Sequence, residues 1–373
     1  MRKILLILLC ILPLHAQKPS SGNYMLFVGN YTQDDSQGID VYRFNGQSGK
    51  LTLVNTIPGV KNPSYITLSP DGGFLYAVEE LTHPTDKEAG RISAFKITDL
   101  KRGEAQKLNT VSSAGEAPCY ITFDTRGENL LVANYLGGRV GMWPLKSDGR
   151  VSDSPLLFQA PAEKSASHMH SIRPLGGSGL LLAADLGRDA LYVLSPDKAQ
   201  RELKATALLK VPAGSGPRHF DFYDDGAFLY AGNEKGNTVS FFRRVGPAPA
   251  QYRYEGDFST LPDGFGGKSW VGDIHVHPRL PYLYVSNRGH NSLARFKIEK
   301  DGRLRLEGVT DVGGDYPRNF VLDREGNFLL AAHQKSFSIS LFRVDARDGS
   351  PHIVKTIKTA ASPVCLKLFP INN

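Results

Sequence analysis

The sequence predicts an all-β protein, a seven-bladed β-propeller whose last blade is closed by strands from both chain termini. Three observations predict this fold. One residue pattern recurs seven times, at intervals of 46 to 55 residues. Each copy contains segments for four strands, and the two chain ends carry complementary parts of one copy. Four-stranded units at this period are typical of propellers.

Each copy opens with a short alternating strand, a tight turn and a second strand that is nearly all apolar. The clearest copy reads PSYITLSPDG from Pro63 and continues with FLYAV. The other copies begin at Pro118, Ser167, Pro217, Val271, Pro317 and Pro363. The Asp-Gly turn favours a hairpin, and the unbroken apolar run favours a strand buried on both faces. A third alternating strand and a polar outer strand complete each unit.

The two chain ends are expected to build one blade together. The seventh copy stops after its first strand, at 365–369, and the N-terminal part supplies strands at 24–29, 39–44 and 51–57. Closing the ring removes the open sheet edge that a linear array would expose. We therefore expect residues 17–373 to form a single domain, although a length prior of about 150 residues per domain suggests two or three.

The first sixteen residues are expected to be a signal peptide. Arg2 and Lys3 form a basic start, residues 4–14 are apolar, and Ala16 is a small residue suited to cleavage. The apolar run is too short to span a bilayer comfortably. We therefore expect export to the periplasm or the extracellular space, and no membrane span in the mature protein.

Export would permit a disulfide between the two cysteines that remain in the mature chain. These are Cys119 and Cys365, and the repeat places them on different strands that are not neighbours. Both are therefore expected to be buried free thiols.

The charge of the chain excludes one class of partner. The net charge is +7, and removal of Arg2 and Lys3 lowers it to +5. Basic residues are scattered singly, whereas a nucleic-acid-binding protein would cluster them in a stripe. We therefore expect no nucleic-acid partner. We also expect the protein to be a monomer. A basic surface suits a small anionic substrate.

Strand direction sorts the connecting segments between two faces of the ring. Residues just before each first strand and just after each second strand share one face near the axis, whereas the Asp-Gly turns lie on the other. The first face carries His168, His170, Arg218, His219, Asn233, Glu234, Asn287, Arg288, His290, Arg318, Asn319, His333 and Gln334. Nearly all the residue types used in catalysis thus fall on one rim, which predicts a funnel-shaped site there.

Some of these residues also have simpler interpretations. Asn134, Asn233 and Asn287 recur at one place in their blades, so they also fit a role as turn caps. Arg218 and Arg318 each follow a proline at the start of a copy, and they also fit salt bridges between blades.

The histidine pairs do not predict a metal site. His168 and His170 alternate to one side of a strand, but no thiol or clear third ligand accompanies them. His275 lies in mid-strand and His277 at the opposite turn, so both are interpreted as packing residues, away from the rim. We therefore expect no bound metal.

Several phrases together resemble a known family, the seven-bladed propeller lactonases, over residues 24–370. They are GNYTQDDSQGIDVYRF, GPRHF followed by NE, SNRGH, and PRNF followed by HQKSFSISLF. The family includes bacterial propeller-type 6-phosphogluconolactonases and the fungal carboxy-cis,cis-muconate lactonizing enzyme. The resemblance implies no metal or organic cofactor, and it implies that His170, Arg218, Glu234 and Arg288 form the catalytic site. Two departures are the export signal and His333, where the family usually has asparagine.

The resemblance and the rim together predict hydrolysis of a sugar lactone, in the manner of a 6-phosphogluconolactonase. Arg218 and Arg288 would stabilise the carbonyl oxygen or clamp an anionic group. His170 would act as general base, and Glu234 would either orient His170 or protonate the leaving hydroxyl. The other rim residues expected to bind substrate are His168, His219, Asn233, Asn287, His290, Arg318, Asn319 and Gln334. No Gly-x-Ser-x-Gly elbow indicates a serine nucleophile.

Three alternatives stay open at this point. The same residues would suit a muconate-type enzyme that forms or isomerises a lactone. A propeller in the cell envelope would also suit a non-catalytic binding module, since fold does not determine function. A metal-dependent propeller lactonase is the third and weakest.

Overall fold

The computed structural model describes residues 22–34, 37–162, 166–246 and 251–371. The expected signal peptide at 1–16 lies outside these residues. Within the described ranges the chain forms 28 strands and one short 3₁₀ helix, Gly176–Ser178.

The strands share one arrangement, in which four antiparallel strands build each blade, and in six of the seven blades the four are consecutive in the chain. In chain order they are β1 Asn23–Tyr31, β2 Ile39–Asn45, β3 Lys50–Ile57, β4 Ile66–Leu68, β5 Phe74–Glu79, β6 Arg91–Asp99, β7 Glu104–Ser112, β8 Pro118–Phe123, β9 Asn129–Asn134, β10 Arg139–Pro144, β11 Leu156–Gln159, β12 Met169–Pro174, β13 Leu181–Asp185, β14 Ala190–Asp197, β15 Glu202–Lys210, β16 Pro217–Tyr223, β17 Phe228–Asn233, β18 Thr238–Arg244, β19 Tyr252–Ser259, β20 Trp270–Val276, β21 Tyr282–Arg288, β22 Ser292–Ile298, β23 Leu304–Asp311, β24 Pro317–Leu322, β25 Phe328–His333, β26 Ser338–Val344, β27 Pro351–Lys358 and β28 Ser362–Ile371.

The blades close into a ring, which confirms the predicted propeller. The C-terminal strand β28 pairs with β1, so both chain ends build one blade in the order β28-β1-β2-β3. The first strand of every blade is innermost, and each of these seven strands contacts the innermost strand of the next blade. One parallel pair between Leu157 and Glu202 also joins the outer strands of two neighbouring blades.

The core lies between the blades. Each innermost strand contributes one large apolar residue that is fully buried against the preceding blade. These residues are Ile66, Ile121, Ile172, Phe220, Ile274, Phe320 and Leu366. The recurrence explains why the first strand of each copy alternates, because the residues on either side of the apolar one face the axis.

A bulge interrupts the innermost strand near its start in most blades. The pairing with the second strand skips one residue between Pro217 and His219, and the same shift recurs in β8, β12 and β24. The bulged residues are Cys119, His170, Arg218 and Arg318. A bulge changes the direction in which a side chain points and is common beside active sites. Four chemically reactive or charged side chains therefore occupy equivalent positions around the axis.

A tyrosine-to-glycine hydrogen bond links adjacent blades at three places. A buried tyrosine hydroxyl on the second strand donates to a glycine carbonyl in the next blade, over 2.6 to 2.9 Å. The pairs are Tyr76 with Gly149, Tyr230 with Gly302, and Tyr284 with Gly349. Each glycine has a positive φ, so the turn that presents its carbonyl depends on the absence of a side chain.

Replacing Gly302 by alanine is expected to lower the free energy of unfolding by at least about 3 kcal/mol. Its φ is +84°, and a Cβ would lie 2.6 Å from the ring of Phe228. The conformation costs roughly 1 kcal/mol for alanine and the overpacking roughly 2 more. Gly264→Ala is the matched control, since its φ is +79° but nothing lies within 4 Å. Urea unfolding should therefore give a loss of only about 1 kcal/mol for the control, and equal losses in the two variants would contradict the interblade contact.

Two further expectations concern the cysteines and a membrane span. Cys119 and Cys365 are buried and free, as predicted. Among the described residues, no helix is long and apolar enough to cross a membrane.

Candidate active site

The site forms where the bulged residues meet the residues at, or just after, the end of each second strand. The register of the blades places the latter at one equivalent level around the axis. They are Tyr31, Glu80, Tyr135, Leu186, Glu234, Arg288 and Gln334. The bulged side chains of His170, Arg218 and Arg318 lie at the same end of the ring. This arrangement agrees with the rim that strand direction predicts.

The Glu234 carboxylate joins two arginines from neighbouring blades. Its Oε2 lies 3.1 Å from Nε of Arg218 and 2.7 Å from Nη2 of Arg288. Backbone carbonyls hold the same arginines, because Arg218 donates to Gly272 O and Arg288 donates to Val271 O. Both guanidinium groups are almost fully buried. We call Arg218, Glu234 and Arg288 the arginine clamp.

The arginine clamp keeps Glu234 ionised. Burial alone would raise the pKa of this carboxyl, but the charges of Arg288 and Arg218 outweigh burial and lower it. Burial and the charges of Arg288 and Arg318 lower the pKa of Arg218 to about 10, so Arg218 stays protonated at neutral pH. An ionised carboxylate has no proton to give, which argues against Glu234 as the acid that protonates a leaving group.

His170 is neutral at physiological pH. Burial and then the charges of Arg218 and Arg318 hold its pKa well below the usual 6.5. Its Nδ1 lies 3.7 Å from Sγ of Cys119, and its ring packs edge-on against Tyr135. Among the described residues, no hydrogen bond joins His170 to Glu234. The neutral imidazole can therefore accept a proton, but Glu234 does not orient it directly.

A buried polar network lies one residue further along the innermost strands. Asp273 Oδ1 lies 2.6 Å from Nδ1 of His219, and Asp273 Oδ2 accepts from Asn319 and lies 3.0 Å from Nε2 of His275. Arg218 Nη1 lies 3.4 Å from both ring nitrogens of His219, so the guanidinium packs over this imidazole. His219 and Asn319 are thus engaged within this network, beside Arg218.

The network has a fixed charge state. Burial and the charge of Arg218 lower the pKa of His219 to about 3, so its imidazole is neutral. Burial raises the pKa of Asp273, but His275, His219 and their hydrogen bonds hold it well below its usual range. One carboxylate with three side-chain partners and one backbone donor, Ile274 N–H, therefore fixes the ring on which Arg218 rests. His275 packs edge-on against Phe320, in keeping with its interpretation as a packing residue. Its contact with Asp273 also joins it to this network, which the sequence did not indicate.

The asparagines that recur at one position in the blades have a structural role. The amide of Asn233 donates to Thr238 and Ser240, and that of Asn287 donates to Thr260 O and Ser292. Both side chains are fully buried. Their amide donors are directed to the third strand and a loop, which fits the turn-cap interpretation better than contact with a substrate.

Three other predicted residues lie at the rim outside the arginine clamp. His168 stacks on Tyr135 at 4.6 Å between ring centroids, and His290 packs edge-on against Phe265 at 4.5 Å. The buried Oε1 of Gln334 has no hydrogen-bond partner among the described residues. Of these three, Gln334 is the one with a fully buried polar atom that makes no hydrogen bond with the described residues.

Within the described ranges, no three His, Cys, Asp or Glu side chains converge in an arrangement that could hold a metal ion. His168 and His170 use their Nδ1 atoms separately, since that of His168 lies 3.2 Å from the Tyr135 carbonyl oxygen.

Sequence reasoning missed five residues of the site region, Tyr31, Glu80, Cys119, Tyr135 and Asp273. The signal was present for three of them, because Tyr31, Glu80 and Tyr135 occupy the repeat position of Glu234. Both oxygens of Glu80 lie 3.0 Å from the Tyr31 hydroxyl. Comparing the same position across all seven copies would have found this pair.

His333 replaces the asparagine that stands at this position in neighbouring blades. Its Nε2 lies 2.9 Å from Ser340 Oγ, as the Asn233 amide lies 2.8 Å from Ser240 Oγ. Burial lowers the pKa of His333 to about 4, and the charges of Asp311 and Asp315 only partly oppose this effect.

We therefore expect His333→Asn to flatten the acid dependence of stability. The folded pKa of about 4 lies below the unfolded value near 6.5. The unfolded chain binds the proton more tightly, so stability is lost as pH falls from 6.5 to 4. Between pH 7 and pH 5 the wild type should lose about 2 kcal/mol more than the variant, as urea unfolding would measure. Identical pH dependence of stability in the wild type and His333→Asn would contradict a buried neutral imidazole. His352→Asn, at an exposed position, serves as the control.

The ring of seven four-stranded blades, with the arginine clamp and His170 at one end of its innermost strands, defines the class of protein as a seven-bladed β-propeller. The chain belongs to the lactonase family of seven-bladed β-propellers, whose family model matches residues 25–368. The prediction of a lactonase-class carboxylic ester hydrolase is confirmed at the level of this family.

Individual relatives agree over nearly the whole chain. A 6-phosphogluconolactonase of Formosa agariphila is 32% identical over 87% of this chain and 93% of its own length. A 6-phosphogluconolactonase of Bacillus subtilis is 28% identical, with 93% and 98% covered. The solved structure of a periplasmic gluconolactonase from Pseudomonas aeruginosa has a TM-score of 0.84 and 30% identity, covering 93% of this chain and 99% of that chain.

Proposed function

We propose that the protein hydrolyses the ring ester of a sugar lactone, as a 6-phosphogluconolactonase does. The observation that carries this proposal is a neutral buried imidazole, His170, near Arg218, which shares one ionised carboxylate with Arg288. Ester hydrolysis needs a group that takes a proton from water and a group that stabilises negative charge on the carbonyl oxygen. The rim supplies both.

The arginine clamp would stabilise the tetrahedral intermediate. A guanidinium donor is left over, because Nε of Arg288 makes no hydrogen bond with the described residues, whereas Nε of Arg218 faces Glu234. As water adds to the carbonyl carbon, the carbonyl oxygen gains negative charge, and fixed positive donors lower the barrier most at that point. Glu234 holds both arginines in place before substrate arrives.

His170 would act first as base and then as acid. Its neutral ring takes the proton of the attacking water, and the carbon–oxygen bond of the ring ester then breaks. The imidazolium returns the proton to the leaving alkoxide, so the histidine ends in its starting state. This sequence needs no proton from Glu234, which supports a positioning role for that carboxylate in place of the two roles considered from sequence.

The remaining predicted residues divide by their contacts. His168, His290 and Gln334 lie where a sugar could be contacted, whereas His219 and Asn319 support Arg218 from the Asp273 network. Asn233 and Asn287 would act through the turns they cap.

A substrate screen of purified residues 17–373 tests the proposal. It should include glucono-δ-lactone, 6-phosphoglucono-δ-lactone and a carboxy-muconate, each with and without a chelator. We expect chelator-resistant opening of at least one sugar lactone above the spontaneous rate. Turnover of the muconate alone would favour the lactonizing enzyme, and no turnover of any compound would favour a binding module.

We also propose that the protein is exported as a monomer after cleavage behind Ala16. The basic and apolar start of the sequence supports export, as does the likeness to a periplasmic gluconolactonase. Mass spectrometry of the mature protein should give Gln17 as the first residue, and an intact Met1 would contradict export.

A further inference from the structure

Arg318 differs from the other two arginines of the site because it forms no direct ion pair within the part of the chain that the structure describes. Arg218 and Arg288 share Glu234. Among the described residues, no carboxylate forms an ion pair with Arg318, and its guanidinium makes no hydrogen bond. The guanidinium packs on the ring of Tyr31, whose centroid lies 5.4 Å from Cζ. The salt bridge between blades that the sequence allowed for Arg318 is therefore not formed.

The nearby carboxylate of Glu80 is already engaged. Both of its oxygens lie 3.0 Å from the Tyr31 hydroxyl, which donates to them. Arg318 therefore packs on the ring whose hydroxyl holds Glu80. Packing of this kind orients the planar guanidinium and leaves its N–H donors free.

The charges of the site leave Arg318 available to an anion. Arg218, Arg288 and Arg318 carry three positive charges, and Glu234 and Glu80 carry two negative charges, while His170 is neutral. Burial lowers the pKa of Arg318, but the Tyr31, Glu80 and Glu234 groups facing it raise that pKa more, so the guanidinium stays charged. A partly buried guanidinium without a partner is suited to bidentate binding of a phosphate or carboxylate.

We propose that Arg318, packed on Tyr31, anchors an anionic substituent of the substrate, while the arginine clamp and His170 act on the ester. This inference rests on the proposed function, and it specifies the substrate class as a lactone that carries a phosphate or a carboxylate. This anchor is separate from the groups that bind the ester. Those groups are the guanidinium donors of Arg218 and Arg288, which are paired with Glu234, whereas Arg318 is not.

The anchor can be tested without catalysis. Titration calorimetry with inorganic phosphate should detect binding to the wild type, and Arg318→Met should weaken it by about tenfold or more. Tyr31→Phe should weaken it in the same direction, because loss of the hydroxyl frees Glu80 to pair with Arg318. Arg324→Met, an exposed arginine in the turn at the opposite end of the same blade, is the control. Undetectable phosphate binding by the wild type, or unchanged affinity in Arg318→Met, would overturn the anchor.

Steady-state kinetics identifies the anion. Three substrates differ in the relevant group: 6-phosphoglucono-δ-lactone, saccharic acid 1,4-lactone with a free carboxylate, and neutral glucono-δ-lactone. Arg318→Met should raise KM for the matching anionic lactone by about tenfold or more relative to the neutral one, with kcat changed less than KM. An equal increase in KM for all three lactones would overturn the anchor. If the wild type opens no lactone, the proposed function fails, and the phosphate titration still decides whether Arg318 binds anions.

Discussion

Replacing Glu234 by glutamine is expected to lower kcat for lactone hydrolysis by about 10²- to 10³-fold and the free energy of unfolding by about 2 to 3 kcal/mol. Glutamine keeps the shape of the side chain and removes its charge. Arg218 and Arg288 would then face each other without compensation, and Arg318 adds to the repulsion, since it already lowers the pKa of Arg218. Removing one partner of a buried ion pair costs more than the pair itself contributes.

A surface ion pair gives the matched control for this change. Glu325 pairs with Arg279 at the opposite turns, where both side chains are more exposed than those of the arginine clamp. Glu325→Gln should change stability by less than about 1 kcal/mol and leave kcat unchanged. Urea unfolding and initial rates measure both effects. A Glu234→Gln protein with wild-type kcat would show that the arginines do not need this carboxylate.

Replacing His170 by glutamine is expected to lower kcat by about 10²- to 10⁴-fold while the fold is retained. Glutamine fills a similar space but cannot take a proton from water. Because the pKa of His170 lies well below 6.5, kcat/KM of the wild type should show no inflection near 6.5 and should fall only at more acidic pH. The acid limb should disappear from the residual activity of the variant.

The exposed His352 on the outer strand β27 provides a control, and His352→Gln should match the wild type. An inflection of the wild-type profile near pH 6.5 would mean that His170 is solvated and titrates normally. A His170→Gln variant with normal kcat would mean that another group takes the proton.

Much of the fold could be predicted because each blade repeats the same local signals. Apolar runs such as 74–78 mark buried second strands, and the Asp-Gly turn at Asp71 fixes strand direction. Direction then places the residues on either side of each hairpin on one rim, which is where His170, Arg218 and Glu234 are found. The closing blade was predictable for the same reason, since its parts at 24–57 and 365–369 complete one copy.

The contacts within the site could not be predicted from these local signals. The bulge at Arg218 depends on how β16 pairs with β17, and one extra residue changes which way a side chain points. Whether Glu234 meets His170 or the two arginines depends on the packing of three blades, with about 50 residues between their equivalent positions. For the same reason the Asp273 network, which joins His219 and Asn319 from the two neighbouring blades, has no signature along the chain.

The contacts of Arg318 could not be predicted from the repeat either. The sequence suited both a salt bridge and substrate binding at this position, because Pro317-Arg318 repeats Pro217-Arg218. The repeat makes the two arginines equivalent in the backbone, but it does not make their neighbours equivalent. Glu234 stands beside one, whereas the tyrosine hydroxyl holds Glu80 beside the other.

The most direct measurement is the rate of sugar-lactone opening by purified residues 17–373, compared with His170→Gln at the same concentration and corrected for spontaneous hydrolysis. We predict a wild-type rate well above that of buffer, and a variant that keeps its β-sheet circular dichroism but loses at least 99% of the enzymatic rate, that is about 10²-fold. A wild type no faster than buffer, or a folded variant as fast as the wild type, would contradict a lactonase that uses His170 as its base.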